Sequence, residues 1–383
     1  MDRALLLAAR GLRAFAFGFA AVLVALHLEA RGLSAGLIGL TLAVGLAAAS
    51  LSGLASAALA ARWGRRAVLS LSGALMAITG LDLAISGTPQ LLVAAGATGM
   101  LGAASIDLGP FAAVEQAMLA EAASPEARNR AFARYSLTGG LFNAAGGLAA
   151  ALASGPASTT DFFLLYAAIG VVTALIPLAM SARVEAPGRP VAFGAFRPLA
   201  GLAALFAVDS FGGGFVANAV IAFWLHARFG AEPGVLGPLF AAIAILQALS
   251  YEVSGRLADR WGLVNTMVFT HLPSNVLLML VPFSPSLSVA IGLLLARFAL
   301  SQMDVPARQA YIVSLVPAAE RAGAVAMTGA VRGVAQSFGP ALTGIAIGAS
   351  AFAFPFLIGG GVKVAYDLLL YVGFRNRPGG HET

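Results

Sequence analysis

Residues 257–262 read LADRWG and residues 59–64 read LAARWG, so one short motif occurs twice at an offset of 198 residues. A second pair of segments, residues 116–128 and 309–321, also matches: both begin with Gln-Ala and end with Arg, at an offset of 193 residues. Two matches at nearly the same offset indicate a duplicated chain whose halves have the same internal organisation.

The composition places the chain in a lipid bilayer. Hydrophobic residues make up 59% of the 383 residues, charged residues only 10%, and the mean hydropathy is +0.88. Soluble domains carry about 25% charged residues, because a surface in water needs them. The basic residues are spread thinly between apolar segments, which argues against nucleic acid as a partner despite a pI near 10.3. The absence of cysteine excludes disulfides, thiolate metal sites and a thiol nucleophile.

Apolar segments long enough to cross a bilayer, about 20 residues each, divide the chain into twelve predicted transmembrane helices. The segments are 12–30, 35–60, 67–87, 90–119, 131–153, 161–182, 197–226, 234–257, 263–283, 287–315, 321–347 and 350–372. We therefore predict an all-α polytopic membrane protein with two pseudo-symmetric six-helix bundles. Residues 1–182 form the first bundle, residues 183–196 a cytoplasmic linker, and residues 197–383 the second bundle.

Arginine placement gives this arrangement an orientation. Arginines cluster in alternate turns between the predicted spans, whereas only Arg31 and Arg228 fall in the turns on the opposite side. Because cytoplasmic loops carry the excess of basic residues, we expect both termini to be cytoplasmic. We interpret the first apolar segment as a retained helix and not as a cleaved signal. The arginine-rich, lysine-poor composition favours a multi-pass protein of a bacterial inner membrane.

The motif at residues 255–262, GRLADRWG, resembles the G-x-L-a-D-r-x-G loop motif of the major facilitator superfamily. The first-half copy departs from it, with Ala57 in place of the glycine and Ala61 in place of the aspartate. Residues 121–128 also have the E-x6-R spacing of some family members. The resemblance implies the twelve-helix fold, transport by alternating access, and a central cavity lined by spans one, four, seven and ten.

Two shorter features resemble drug–proton antiporters of that superfamily. Arg297 resembles the intramembrane arginine that these antiporters carry in span four, although here it lies in span ten. Gly339-Pro340 resembles their Gly-Pro motif, again in the other half. These fragments favour proton-coupled efflux. Proton-coupled uptake or facilitated diffusion of a small polar or anionic solute is the alternative, and a non-transporting receptor or scaffold is the alternative from another class.

Charged residues inside predicted spans are candidates for function, because each costs at least about 2.5–3.5 kcal/mol to insert into a membrane. The substrate-binding and proton-coupling candidates are Asp107, Asp209, Asn218, Arg297 and Asp304. Our leading hypothesis makes Asp209 or Asp107 the group that takes up a proton, since burial disfavours a charged carboxylate. Arg297 would then bind an anionic or polar group of the substrate.

Local patterns in spans seven and ten support this hypothesis. Arg297, Ser301, Asp304 and Arg308 recur at helical spacing and predict one continuous stripe. Asp209 precedes the run Gly212-Gly213-Gly214, and three glycines weaken a helix by about 1 kcal/mol each relative to alanine. A helix interrupted beside an acid is the arrangement that transporters use for binding sites.

A proline follows Asp107 and Asp304 within a few residues, at Pro110 and Pro306. We expect each proline to remove a helical hydrogen bond and to free a backbone carbonyl in the span.

Structural roles remain open for several of these charges. Arg297 could neutralise Asp304 or Asp209 as a buried pair. Lys363 and Asp367 lie four residues apart in span twelve and predict a self-contained pair. His271 and Asn275 have the same spacing in span nine, where a histidine among apolar residues is usually only hydrogen-bonded.

A further set of polar residues lies at the predicted cytoplasmic ends of the helices. We interpret them as an inner gate whose salt bridges hold the outward-open state and break as the halves move. The set comprises Arg62, Arg65, Arg66, Glu115, Gln116, Glu121, Arg128, Asp259, Arg260, Arg308 and Gln309.

Enzyme function finds no support in the sequence, which has no nucleotide-binding loop, no histidine-rich metal cluster and no plausible catalytic triad. We expect no metal and no cofactor, with the proton gradient as the energy source. The expected partners are a small-molecule substrate and the lipid bilayer, and we expect a monomer.

Overall fold

The computed structural model describes residues 1–103, 109–122, 125–185, 196–314 and 321–375. Over these ranges the secondary structure consists of fifteen α-helices and four short 3-10 segments. The helices are α1 Asp2–Ala30, α2 Ala35–Trp63, α3 Arg65–Ile85, α4 Pro89–Ala97, α5 Pro110–Ala122, α6 Pro125–Ala149, α7 Pro156–Leu175, α8 Phe196–Gly214, α9 Asn218–Phe229, α10 Pro233–Trp261, α11 Leu263–Leu280, α12 Leu287–Ser301, α13 Asp304–Ser314, α14 Arg321–Gly348 and α15 Phe354–Phe374. The 3-10 segments are Ala150–Leu152, Ile176–Ala179, Ala182–Glu185 and Val281–Phe283.

Eight helical stretches of the described chain are long and apolar enough to cross a membrane, and α12 is a shorter apolar helix. Only helices and closed barrels satisfy all their backbone hydrogen bonds in lipid. The all-α polytopic class is thus confirmed. The count of twelve spans and the cytoplasmic position of the termini stay predictions.

Three of the twelve predicted spans are divided in the structure. The fourth contains α4 and α5, the seventh contains α8 and α9, and the tenth contains α12 and α13. Each of the other predicted spans corresponds to a single α-helix. The interruptions therefore fall in three of the four spans that the family resemblance places around a cavity, which is where irregular backbone is tolerated in membrane proteins.

The prolines after the two acids do not act as predicted. Pro110 is the first residue of α5, and Pro306 lies in the first turn of α13. The N–H groups of a first turn have no partner within the helix, so a proline there removes no hydrogen bond. The expectation of carbonyls freed inside a continuous helix was wrong; the two prolines lie where new helices start.

The chain forms two compact units. Unit 1 consists of Met1–Arg189 and Ala217–Ala241, and unit 2 of Pro190–Val216 and Ala242–Thr383. The predicted boundary at residues 183–196 concerns the duplicated halves of the sequence and stays a prediction. Residues 217–241, which contain α9, belong to compact unit 1, although they lie in the predicted second bundle.

Helix α1 lies at the centre of unit 1, where it packs against α6, α7 and α9. Its residues from Ala14 to Leu28 are nearly all buried. Gly146 of α6 lies directly against the backbone of Phe15, where a Cβ atom would overlap the carbonyl oxygen. Small residues at such contacts let two helix backbones approach closely.

In unit 2, α8 packs against α14 and α15, while α11 packs against α12, α13 and α15. Gly339 of α14 meets Gly214 of α8 at a point where a Cβ atom would overlap backbone atoms. An apolar cluster that includes Phe206, Met267 and Tyr366 surrounds this set of helices. The helices of unit 2 thus hold α8 in contact with both α14 and α15.

We predict that Gly339→Ala destabilises the protein, because the added methyl has no space against Gly214 and overpacking costs about 1–3 kcal/mol. The matched control on the same helix is Gly329→Ala, where a Cβ atom would meet nothing within 4 Å. Thermal unfolding of both purified variants in detergent measures the difference. Equal midpoints for the two variants would show that the contact between α8 and α14 tolerates a larger residue.

Candidate functional site

Six ionisable side chains form a buried network in unit 2, here called the charge network. They come from α8, α11, α13 and α15, and each is at most 6% exposed. The residues are Asp209, His271, Asp304, Arg308, Lys363 and Asp367. Since an isolated buried charge costs several kcal/mol or more, their stability depends on mutual pairing.

Asp209 lies at the centre of the charge network. Lys363 donates from Nζ to its Oδ1 at 2.6 Å. Arg308 Nη1 lies 3.7 Å from its Oδ2, and His271 Nε2 lies 3.7 Å from its Oδ1. Three basic side chains from three other helices therefore face one carboxylate of α8.

Asp367 is held by the histidine and a neutral amide. His271 Nδ1 lies 2.9 Å from its Oδ1, and Asn275 donates from Nδ2 to its Oδ2 at 2.9 Å. The predicted self-contained pair of Lys363 and Asp367 is wrong, because Lys363 binds Asp209 on another helix. The expectation that His271 and Asn275 are hydrogen-bonded inside the protein is confirmed, since both donate to Asp367.

The predicted stripe on span ten is buried along its whole length, although a break at residues 302–303 interrupts the helix. Within it, Arg308 donates from Nη1 to Asp304 Oδ2 one turn earlier on α13. The alternative in which Arg297 neutralises Asp304 or Asp209 is not found, since neither of these acids forms an ion pair with Arg297. The guanidinium of Arg297 instead lies over the ring of Phe298, 4.5 Å from its centroid.

Arg297 is a buried cation with donor atoms that have no hydrogen-bond partner in the described part of the protein. It is 6% exposed, and its Nε and Nη1 atoms have no hydrogen-bond partner there. The hydroxyl of Ser301, one turn further along α12, also has none. A buried donor without a partner loses about 1–3 kcal/mol, and more when it is charged. Such donors are therefore suited to an anionic or polar group that enters the site.

Arg332 of α14 adds a further cation beside the charge network. Its Nε donates to the hydroxyl of Ser210 at 2.9 Å, and Ser210 is the neighbour of Asp209 on α8. Three carboxylates in this region therefore face four permanent cations, even with the histidine neutral. The cations are Arg297, Arg308, Arg332 and Lys363. The excess of positive charge again fits a polar or anionic ligand.

The glycine run gives Lys363 its path to Asp209. As predicted, the helix is interrupted after this run, because α8 ends at Gly214 and α9 begins at Asn218. A Cβ atom at Gly212 would lie 3.0 Å from Lys363 Cγ, and one at Gly213 would lie 3.6 Å from its Nζ. The lysine stem thus lies along a surface that carries no side chains.

Unit 1 contains a separate buried pair that sequence reasoning missed. Arg13 of α1 donates two hydrogen bonds to Glu115 of α5, at 2.7 and 2.6 Å, and Tyr135 donates a third at 2.8 Å. Arg10 lies 4.3 Å from the centre of the Tyr135 ring. Helix α1 begins at Asp2, before the predicted first segment at 12–30, and the side chains of Arg10 and Arg13 are both buried.

Some gate candidates form hydrogen bonds and ion pairs within unit 1. Arg65 donates to both carboxylate oxygens of Glu121, at 2.7 and 2.6 Å. The backbone N–H groups of Arg65 and Arg66 donate to Glu185, and the Arg66 guanidinium donates to the carbonyls of Pro177 and Leu178. These contacts tie the start of α3 to neighbouring segments of the same unit.

The remaining candidates are not brought into these clusters. Asn218 is the first residue of α9, in unit 1, and Gln116 is half-buried on α5. Asp107 and the side chain of Arg128 lie outside the described residues. Four gate candidates are exposed: Arg62, Asp259, Arg260 and Gln309.

Comparison with known proteins gives a family match over both halves. The model of the Major Facilitator Superfamily matches residues 6–209 and again residues 202–383. A relative of similar length is the uncharacterized membrane protein YJR124C of Saccharomyces cerevisiae, 26% identical over 96% of this chain and 93% of its own.

Solved structures with the same fold include three transporters. The nucleoside transporter NupG superposes with a TM-score of 0.79 at 14% identity, covering 98% of this chain and 100% of its own. A D-xylose–proton symporter gives a TM-score of 0.76 at 15% identity over 99% of both chains. A bacterial homologue of the human lysosomal transporter Spinster gives 0.74 at 17% identity, over 97% of this chain and 94% of its own.

We predict that Arg13→Ala destabilises unit 1 by about 3–5 kcal/mol, because it leaves the buried Glu115 without a counter-charge. Tyr135→Phe removes one hydrogen bond to a charged group and should cost about 1.5–3 kcal/mol. Thermal unfolding in detergent compares the two, and the double variant Arg13→Met with Glu115→Leu should recover much of the loss. A double variant as unstable as Arg13→Ala would contradict the charge argument.

Proposed function

Because the chain belongs to the Major Facilitator Superfamily, we propose that it moves a small polar or anionic molecule by alternating access, with a coupled proton driving efflux. The chain is a multi-pass membrane transporter and not an enzyme. The proton coupling, the direction, the substrate class and the membrane are the parts that we propose. We place it in a bacterial inner membrane, as a monomer that uses the proton gradient without a cofactor.

The observation that carries this proposal is the charge network at the interrupted seventh span. Asp209 lies five residues before the end of α8 and is bound by Lys363. A carboxylate paired with cations in an apolar interior cannot change its charge without a rearrangement of its partners. Proton uptake or release by any member of this network would therefore be coupled to a change of structure, which is what a proton-driven transporter needs.

Arg297 supports the substrate part of the proposal. Arg297 lies on α12, the helix directly before α13 and its network residue Asp304. Its guanidinium is buried and has two nitrogen atoms without hydrogen-bond partners. A carboxylate or phosphate could accept a charge-assisted hydrogen bond from one of these nitrogen atoms. Binding of an anion would also neutralise the excess positive charge of this region.

The direction rests on the sequence resemblance alone. Arg297 and Gly339-Pro340 resemble antiporter motifs and favour efflux. The D-xylose–proton symporter, a protein of the same fold, couples substrate and proton in the same direction. A flux experiment therefore distinguishes efflux from uptake and from facilitated diffusion. If no substrate moves, the result favours a receptor or scaffold.

The decisive experiment uses proteoliposomes that contain the purified protein. Flux is measured with and without a pH gradient for a panel of organic acids, sugars and lipophilic cations. We expect a pH gradient to drive an organic acid out of the proton-poor compartment as protons enter it. Substrate flux that does not depend on the pH gradient would contradict proton coupling. Protons that move in the same direction as the substrate would contradict the proposal of efflux.

We predict that Asp209→Asn lowers the pH-driven flux at least about tenfold, since the loss of one buried charge leaves Lys363 unpaired. Asp82→Asn is the control, because Asp82 also lies in a predicted span but bonds only to Ser86 among the described residues. Undiminished pH-driven flux in Asp209→Asn, with normal expression, would remove Asp209 from the coupling role.

We predict that Arg297→Gln raises the KM for the transported acid about tenfold or more, because a charge-assisted hydrogen bond to its anionic group is lost. Arg256→Gln is the matched control, since Arg256 is exposed. Initial rates at varied substrate concentration give KM for each. A KM unchanged in Arg297→Gln would show that Arg297 does not bind the substrate.

A further inference from the structure

His271 lies between two buried carboxylates that belong to different helices. Its Nδ1 is 2.9 Å from Asp367 Oδ1 on α15, and its Nε2 is 3.7 Å from Asp209 Oδ1 on α8. A neutral imidazole has one N–H, whereas the protonated ring has two and can face a carboxylate from each nitrogen. The Nδ1–H donates to Asp367 whether the ring is neutral or protonated, and a proton on Nε2 would add an ion-pair contact with Asp209 at 3.7 Å.

Charge pairing in the network also favours a proton on His271. Asp209 has Lys363 and Asp304 has Arg308 as close counter-charges. Over the described residues, Asp367 bonds only to His271 and to the neutral amide of Asn275. Although the region as a whole has more cations than acids, no permanent cation of the described residues pairs with Asp367, and a proton on His271 would supply a close counter-charge.

We propose that His271 holds the coupled proton in unit 2, and that Lys363 moves between Asp209 and Asp367 when this proton leaves and returns. This inference rests on the proposed proton coupling and names the group that carries it. The proton leaves from Nε2 to water on the proton-poor side and returns from water on the other side. The net charge of the network changes by one with each passage.

Lys363 lies close to both acids, in space to Asp209 and along α15 to Asp367. Lys363 and Asp367 lie one helical turn apart on α15, a spacing at which a lysine and an aspartate meet readily. Its flexible four-carbon stem lies along Gly212 and Gly213, which present no side chain to block a swing. Asp209 would then keep Arg308 as its counter-charge, at 3.7 Å.

Other ionisable groups surround the histidine on the helices packed against α11 and on their neighbours. In the described residues these are Asp209 on α8, Arg297 on α12, Asp304, Arg308 and Tyr311 on α13, Arg332 on α14, and Lys363, Tyr366 and Asp367 on α15. Of these groups, the carboxylates of Asp209 and Asp367 face the nitrogen atoms of His271. Tyr366 packs edge-on at 6.0 Å between ring centroids.

The charge of His271 can be measured without knowing the substrate, because the chain has four histidines. Nitrogen NMR of histidine-labelled protein in lipid nanodiscs, from about pH 5 to 9 around the usual histidine range, resolves protonated from neutral rings. His271→Asn assigns the signal. His27 is the internal control: it is buried too, but it bonds to the Thr159 hydroxyl and the Leu83 carbonyl, both neutral.

We expect the His271 ring to be protonated over part of this range and to become neutral in Asp367→Asn at the same pH. His27 should give the same signals in both proteins. A His271 ring that is neutral throughout, or one unaffected by Asp367→Asn, would overturn the proposal.

Flux measurements separate this proposal from the proposed function. With the organic acid that the wild type transports, the ratio of pH-driven flux to substrate counterflow should fall about tenfold or more in His271→Gln, since the buried proton site is lost. His27→Gln should keep the wild-type ratio. A wild type without pH dependence would refute the proposed coupling, whereas a coupled wild type with an equally coupled His271→Gln would refute only the role of His271.

Discussion

The ion pair between Lys363 and Asp209 is the interaction on which unit 2 depends. Neither charge is stable alone in an apolar interior, so the pair requires α8 and α15 to lie close together. The glycines at 212–214 make this approach possible, because they give the lysine stem space and let α8 meet α14. Arg308 and His271 then reach the same carboxylate from two further helices, and the polar core of unit 2 is built around that one acid.

The two units bury charge in different ways. In unit 1, Glu115 accepts hydrogen bonds from Arg13 and Tyr135, and a second buried arginine, Arg10, lies over the tyrosine ring. In unit 2, several acids and bases from four helices share one buried network beside the interrupted seventh span. This larger set of ionisable groups is why the proposed chemistry is placed in unit 2.

The interrupted helices link the local sequence to this chemistry. The glycine run after Asp209 ends α8, and the prolines at 110 and 306 lie in the first turns of α5 and α13. All three interruptions fall in predicted spans that carry intramembrane acids. A broken helix exposes backbone groups that lipid cannot satisfy, so protein or water must surround these points, as a transport pathway requires. The broken spans therefore support transport independently of the ion pairs.

The sequence by itself determined the class of protein, because composition, apolar length and the repeated Arg-Trp-Gly motif depend on no tertiary contact. It also indicated the break after Asp209, since glycine weakens a helix wherever it lies. Only the tertiary structure decided how the charges pair. Spacing on one helix suggested that Lys363 binds Asp367, yet Lys363 binds Asp209, and His271 takes its place at Asp367. Partners on different helices are separated by up to 154 residues, and their proximity comes from packing, which no local pattern encodes.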